Sequence, residues 1–270
     1  MNPKVVLSVA GTDSGGAAGL AADLAPFAAL GAHGTAVVTA VTAQDTTRIR
    51  GIHRVPLVSV QQQLDAVLGD LPVAAAKTGL LASPSVIRLV ARRLGTTALV
   101  VDPVLRASTG ADLADRAIRR AYLEDLFPVA TVITPNAREA RSLLGLGDHT
   151  SPERLAVALT EFGAAVVVTG GPDPGTDDDL CTDWLALPGQ AAQPFRHPVV
   201  TTGNDHGTGC TFSAALAVAL AEGDPLADGV ARAADFTTRQ LRLSRDWTLG
   251  RGRGPIAHLI PTHPEDKDRE

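Results

Sequence analysis

The 270 residues, 45% of them hydrophobic, are enough to bury one sizeable core and exclude a disordered chain as the default. Aromatic residues make up only 3%, so Ala, Val and Leu must build that core. A formal net charge of −5 argues against nucleic acid as the main partner, which ordinarily meets a basic face.

Met1-Asn2-Pro3-Lys4 leads directly into an apolar segment and lacks the basic start, long apolar stretch and cleavage site of a signal peptide. No run reaches the roughly 18 apolar residues of a membrane span. The expectation is a cytoplasmic protein, no membrane partner, and reduced thiols at Cys181 and Cys210.

Residues 5–10 read as the first strand, short and apolar throughout, as strands covered on both faces are. The loop after it runs Gly11-Thr12-Asp13-Ser14-Gly15-Gly16-Ala17-Ala18-Gly19. It matches neither G-x-G-x-x-G nor G-x-x-x-x-G-K-[ST]. It suits a loop whose backbone packs closely on a flat ligand. A helix over 19–30 follows and carries Asp23.

A second strand is predicted over 36–41. Gln44 comes just after it and offers an amide donor and acceptor together, which suits an aminopyrimidine edge, although by itself an exposed loop residue is the plainer reading. Residues 46–55 alternate polar and apolar and predict a small β flap beside the site. A helix over 58–71 leads to a strand over 73–76, which ends in Lys77-Thr78-Gly79-Leu80. Lys77 can reach an acidic partner, and Leu80 can wall a pocket.

After a helix over 83–94, the strand over 98–101 ends at Asp102. A carboxylate at a buried strand end is costly unless paired or bound to metal, although Asp before Pro is also a common turn start. A helix over 112–126 and a strand over 129–134 lead to Thr134-Pro135-Asn136-Ala137-Arg138-Glu139. Asn136 and Glu139 have the spacing of a capping box on a helix over 137–144. The same two residues can face nucleotide phosphates and position Mg²⁺ through water. Next come a helix over 152–162, a strand over 164–169, a mobile surface loop over 170–179, and antiparallel additions over 180–187 and 193–200.

The strongest motif is His206-Gly207-Thr208-Gly209-Cys210-Thr211-Phe212-Ser213, ahead of an Ala-rich run over 214–221. Glycines at a helix start expose backbone amides, and the helix dipole adds partial positive charge. That makes a cradle for phosphate; the plainer alternative is a Gly-rich helix start on which Thr208 acts as cap. Cys210, in the first turn, is expected to have a lowered pKa and to act as a base or line the anion site. Its other reading is a small buried filler. A single domain over 1–260 with a disordered tail over 261–270 completes the layout.

Strand and helix alternate, so the fold class is α/β with a mainly parallel sheet, and the motifs fall on loops after strand ends, where such sheets bind ligands. In the order and spacing of these motifs the chain resembles the hydroxymethylpyrimidine/phosphomethylpyrimidine kinases of thiamine biosynthesis. The elements carrying the resemblance are Gly11-Thr12-Asp13-Ser14 with Asp23, Thr39-Ala40-Val41-Thr42-Ala43-Gln44, Lys77-Thr78-Gly79, Val101-Asp102-Pro103-Val104, Asn136 with Glu139, and His206–Cys210.

The resemblance implies a ribokinase-like three-layer α/β/α fold with a small β flap, and phosphorylation of 4-amino-5-hydroxymethyl-2-methylpyrimidine and then its monophosphate. It implies Gln44 on the pyrimidine with Gly11 and Asp23 nearby. Gly207, Thr208, Gly209 and Cys210 would surround the transferred phosphoryl group. Asp102, Asn136 and Glu139 would organise ATP and Mg²⁺. Such vitamin kinases are often dimers, so a homodimer is the assembly it implies. Ala17 stands where the family has Gly, Ala21 where it has Gln, and Thr169-Gly170-Gly171-Pro172 where it has Lys-Gly-Gly-His. Thr169 resembles the wider ribokinase and pyridoxal kinase group, so a pyridoxal kinase is the nearest alternative. An inactive pyrimidine-binding protein is the alternative of another class.

Overall fold

The computed structural model describes residues 2–106, 112–170 and 180–258. In chain order it forms β1 (Val5–Ala10), α1 (Gly19–Ala29), β2 (His33–Val38), β3 (Ala40–Gln44), β4 (Ile49–Arg54), α2 (Leu57–Asp70), β5 (Val73–Thr78), α3 (Pro84–Leu94) and β6 (Ala98–Val101). There follow α4 (Arg116–Ala121), β7 (Val132–Ile133), α5 (Ala137–Leu144), α6 (Pro152–Leu159), β8 (Ala165–Val168), β9 (Leu180–Ala186), β10 (Gln193–Pro198), α7 (Thr208–Glu222) and α8 (Leu226–Ser244).

Eight strands form one sheet in the order β10-β9-β8-β7-β6-β5-β1-β2. All pairs from β2 to β8 are parallel, and β9 and β10 extend one edge antiparallel. Alternate residues of the strands feed two separate cores. Leu7, Val9, Leu99, Val101, Ile133 and Val166 pack with α2, α3, α5 and α6. Val6, Ala75, Val100, Val132 and Val167 pack with Phe27 of α1 and with α7 and α8. These are the three layers implied by the resemblance. β1 lies between β2 and β5, so the chain leaves it in opposite directions and opens a crevice at the carboxyl ends of these strands.

α7 has almost no polar face because it has almost no solvent face: residues 211–219 are all buried. It lies against β1, β5 and β6 and is covered by α1 and α8. Its start is thereby carried to the crevice.

Several expected boundaries shift. The strand expected over 36–41 is two strands, because the chain leaves the sheet at Thr39, whose amide donates to Ala10 while its carbonyl accepts from Val55. The flap is accordingly a hairpin of β3 with β4, antiparallel and apart from the main sheet. The helix expected over 112–126 starts at Arg116 behind the Asp115 cap, then loosens into a π-helical turn at Tyr122–Leu126 and a 3₁₀ turn at Phe127–Val129. Those turns hold Val129, so the strand expected over 129–134 shortens to Val132–Ile133. The 19-residue α8 was not anticipated. Its buried face includes Thr237, Thr238, Gln240 and Ser244, and polar residues at those positions hide the helical stripe. Thr237 and Thr238 satisfy their hydroxyls on carbonyls one turn back. No helix among the described residues is long and apolar enough to cross a membrane. Residues 171–179 of the loop expected over 170–179, and the tail expected over 261–270, lie outside the described residues.

Candidate active site

The β1–α1 loop is organised by Asp13. Its Oδ1 accepts the Gly15 amide at 2.8 Å, and its Oδ2 accepts those of Ala17 and Ala18 at 3.1 and 2.9 Å. Burial raises its pKa, but the His206 ring and the Gly15 and Ala18 amides outweigh that and hold it below the ordinary value. Gly19 has a φ of +58°, and a Cβ there would lie 2.3 Å from the Gly11 carbonyl oxygen. That close approach is what the glycine run supplies. Leu80 Cδ2 lies 3.3 Å from where a Gly11 Cβ would be, so these two expected substrate-side residues are neighbours.

Gln44 ends the flap strand β3. Its amide donates to Ser14 Oγ at 2.8 Å, and Ser14 Oγ donates back to its carbonyl at 2.7 Å. The side-chain Nε2 lies 3.1 Å from His206 Nε2. The residue before the α7 glycines therefore touches the expected ring-reading amide, a contact 162 residues apart in sequence.

Beneath this lies a buried polar cluster. Lys77 Nζ is 2.7 Å from Asp23 Oδ1 and 3.7 Å from Asp102 Oδ2. Ser8 donates to Asp23 Oδ2 at 2.5 Å, and Ser213 of α7 donates to Asp102 Oδ2 at 3.3 Å. Burial works against the charge on Lys77, but Asp23, Cys210 and Asp102 together hold its pKa above the ordinary value. Asp23 is fully buried with both carboxylate oxygens engaged. It therefore holds Lys77 and Ser8 in place beneath the first loop.

Asn136 and Glu139 form the full capping box: Asn136 Oδ1 accepts the Glu139 amide at 3.0 Å, and Glu139 Oε2 accepts the Asn136 amide at 3.1 Å. The capping reading holds, and burial and then the charge of Asp102 push Glu139 up to about 8. Asp102 is raised too, by burial first, with Lys77 and Ser213 acting against the rise. Among the described residues no group of three or more His, Cys, Asp or Glu side chains forms a metal cage. Thr169 bridges to Asn136 at neighbouring strand ends, its amide donating to Pro135.

At the start of α7, Gly207 is the N-cap, with a φ of +95° and no side-chain cap. A Cβ at Gly207 would lie 1.8 Å from the Ala17 carbonyl oxygen, whereas one at Gly209 would meet nothing within 4 Å. The first helical bond closes only at the Thr211 amide, onto Gly207. The Gly209 and Cys210 amides therefore precede any intrahelical acceptor. Thr208 does not cap the helix; its hydroxyl donates back to Asp205.

The expectation for Cys210 is overturned in its electrostatics. Burial pushes the thiol up to about 12, and Lys77 only partly counters this. Desolvation of a thiolate here outweighs the helix dipole. Sequence reasoning also missed Asp13, Ser213 and Asn204. Asn204 Nδ2 donates to the carbonyls of Ser244, Arg245 and Trp247 and ties the end of α8 beneath the His206 segment. Asp13 had a signal in the Asp-Ser-Gly-Gly turn chemistry. The other two reveal themselves only through distant partners.

A family model described as phosphomethylpyrimidine kinase matches residues 13–257. A hydroxymethylpyrimidine/phosphomethylpyrimidine kinase of Haemophilus influenzae is 42% identical over 265 residues, covering 95% of this chain and 97% of its own. A pyridoxal kinase of Staphylococcus aureus, solved with AMP-PCP and pyridoxal, superposes with a TM-score of 0.83 at 30% identity, covering 95% of this chain and 93% of its own. A phosphomethylpyrimidine kinase structure from Clostridium difficile gives a TM-score of 0.74 at 29% identity, covering 87% and 98%.

Proposed function

The chain belongs to the phosphomethylpyrimidine kinase family, and from that premise we propose that its site moves the γ-phosphoryl group of ATP onto the primary alcohol of 4-amino-5-hydroxymethyl-2-methylpyrimidine, then phosphorylates the monophosphate to the diphosphate used in making thiamine. The observation that carries the reading is the junction at 206–207: His206 touches the ring-reading Gln44, and Gly207 starts the amide cradle. The ring-reading Gln44 and the phosphoryl cradle are thus joined through His206, which touches the one and adjoins the other.

Catalysis is mainly positioning and charge stabilisation, as phosphoryl transfer requires. Gln44 reads the ring edge, and Gly11 with Leu80 forms one wall of its pocket. The Gly209 and Cys210 amides face the charge that develops on the transferred oxygens. Cys210, protonated at neutral pH, lines this cradle and is no resident base. In a loose transition state the alcohol proton leaves late, so a strong base is not needed. Asn136 and Thr169, side by side at two strand ends, receive the nucleotide.

Asp102 and Glu139 suit Mg²⁺ held on nucleotide phosphates: both are buried carboxylates with raised pKa, Glu139 raised further by the charge of Asp102, and Mg²⁺ characteristically takes one or two carboxylates and keeps its waters. The ion would neutralise charge on the phosphates. The reading also carries a cytoplasmic location and a homodimer, the latter checked by sedimentation.

Release of ADP with the pyrimidine alcohol, its monophosphate and pyridoxal as separate acceptors tests the assignment. Turnover on the first two is expected. Turnover on pyridoxal alone would make the chain a pyridoxal kinase, the second reading favoured by Thr169 and by the likeness to the Staphylococcus aureus enzyme. No ADP from any of the three would leave an inactive binding protein.

A further inference from the structure

His206 is buried and its backbone is fixed on both sides. Its amide donates to the Gly254 carbonyl and its carbonyl accepts from Ile256, both at 3.0 Å. The ring therefore has a set position relative to the flap. Its Nε2 meets Gln44 Nε2 at 3.1 Å. In this orientation of the amide the nitrogen has only hydrogens to give, so Gln44 donates and the imidazole accepts in its Nδ1–H tautomer. Asp13 Oδ2, which already accepts two backbone amides, lies 3.6 Å from the same Nε2 and pairs with it when the ring is protonated; the neutral ring accepts from Gln44.

Gln44 is held from its other end as well, by the reciprocal bonds to Ser14. With backbone and nitrogen both fixed, its Oε1 accepts no hydrogen bond among the described residues and is left for a ligand. Turning the amide over would exchange acceptor for donor at that edge. A 4-aminopyrimidine offers an amine donor beside a ring-nitrogen acceptor, and the corresponding 4-oxo ring offers the reverse pattern.

We propose that His206 is a positioning residue for substrate choice: by accepting from Gln44 Nε2 it fixes the amide so that Oε1 meets the exocyclic amine, and the site thereby favours an amino ring over its oxo counterpart. This rests on the pyrimidine-kinase reading above. It also links ring recognition to the phosphoryl cradle, since His206 is bonded in sequence to Gly207.

The test is the ratio of kcat/KM for the 4-amino alcohol to that for its 4-oxo analogue, with ATP, in wild type, His206→Phe and His206→Gln. Freeing the amide is expected to lower the ratio at least about tenfold in His206→Phe, mainly through KM for the amine, because a hydrogen-bonding site rejects the wrong pattern strongly. His206→Gln, whose carbonyl can accept, is expected to recover part of it. A merely structural role would slow both substrates equally, and an unmoved ratio overturns the proposal. Nitrogen NMR of the wild-type His206 ring gives a reading that needs no variant. The Nδ1–H tautomer is expected, and an Nε2–H ring overturns the proposal. A wild-type protein that turns over neither pyrimidine overturns the parent reading and this one with it; normal turnover with an unmoved ratio overturns this one alone.

Discussion

Lys77 of β5 and Asp23 of α1 form an ion pair of 2.7 Å in which neither side chain has any solvent exposure. Removing one member of such a pair strands a buried charge, while removing both does not. Lys77→Met is expected to lower unfolding free energy by about 3–5 kcal/mol. Asp23→Asn combined with Lys77→Met is expected to cost clearly less than Lys77→Met alone. Urea denaturation of the two variants measures the difference, and equal losses would mean that Asp23 is not the partner that matters.

Cys210 gives the pH prediction. Its folded pKa, about 12, lies above the value of an unfolded thiol, about 8.5. The folded state therefore holds the proton more tightly. The group's contribution to stability is fully present below about pH 8.5 and is lost as pH rises toward 12. In a Cys181→Ser background, iodoacetamide should react slowly with Cys210 at pH 7.5, and its rate should climb only in strong alkali. Cys210→Ala should keep activity within about tenfold, because a general base is worth about 10²–10⁴. A loss in that larger range would restore the thiol as base.

What the sequence revealed and what it hid separate on physical grounds. Strands such as Val5–Ala10 are readable because burial on both faces requires an unbroken apolar run. The glycines around 206–209 are readable because few other residues tolerate such close backbone approach. The lysine partner of Asp23 was hidden because a charged residue on an amphipathic helix looks the same whether it meets a ligand or a lysine 54 residues away. The Cys210 thiol was misjudged because position on a helix is local, whereas desolvation depends on what packs above it. The Gln44–His206 contact joins two motifs read separately, and nothing in either one specifies the other.

Asp102 and Glu139 predict a proton-linked divalent ion. Glu139, raised to about 8, is largely protonated at pH 7, and metal binding must drive that proton off. Titrating Mg²⁺ with ADP in buffers of different ionisation enthalpy at pH 7 should show net proton release. Glu139→Gln should abolish the release and weaken Mg²⁺ binding. Its stability should stay within about 1 kcal/mol of wild type at pH 7, because Glu139 is already largely neutral there and a Gln oxygen can still accept from the Asn136 amide. Proton release that persists in Glu139→Gln would move the linked group elsewhere.

Gly207 and Gly209 are two residues apart and should fail in opposite ways. At Gly207 a methyl group meets both a left-handed backbone and the Ala17 carbonyl, so Gly207→Ala should cost more than about 2 kcal/mol and take activity with it. At Gly209 the added Cβ points into open space, and Ala is the better helix former by about 1 kcal/mol. Gly209→Ala should therefore be as stable as wild type or more so in thermal unfolding. Only a ligand seated on the exposed amides gives that methyl group something to strike. A sharp fall in kcat/KM for ATP with unchanged or raised Tm is the expected signature of the cradle. A fully active Gly209→Ala would remove the phosphoryl group from the start of α7.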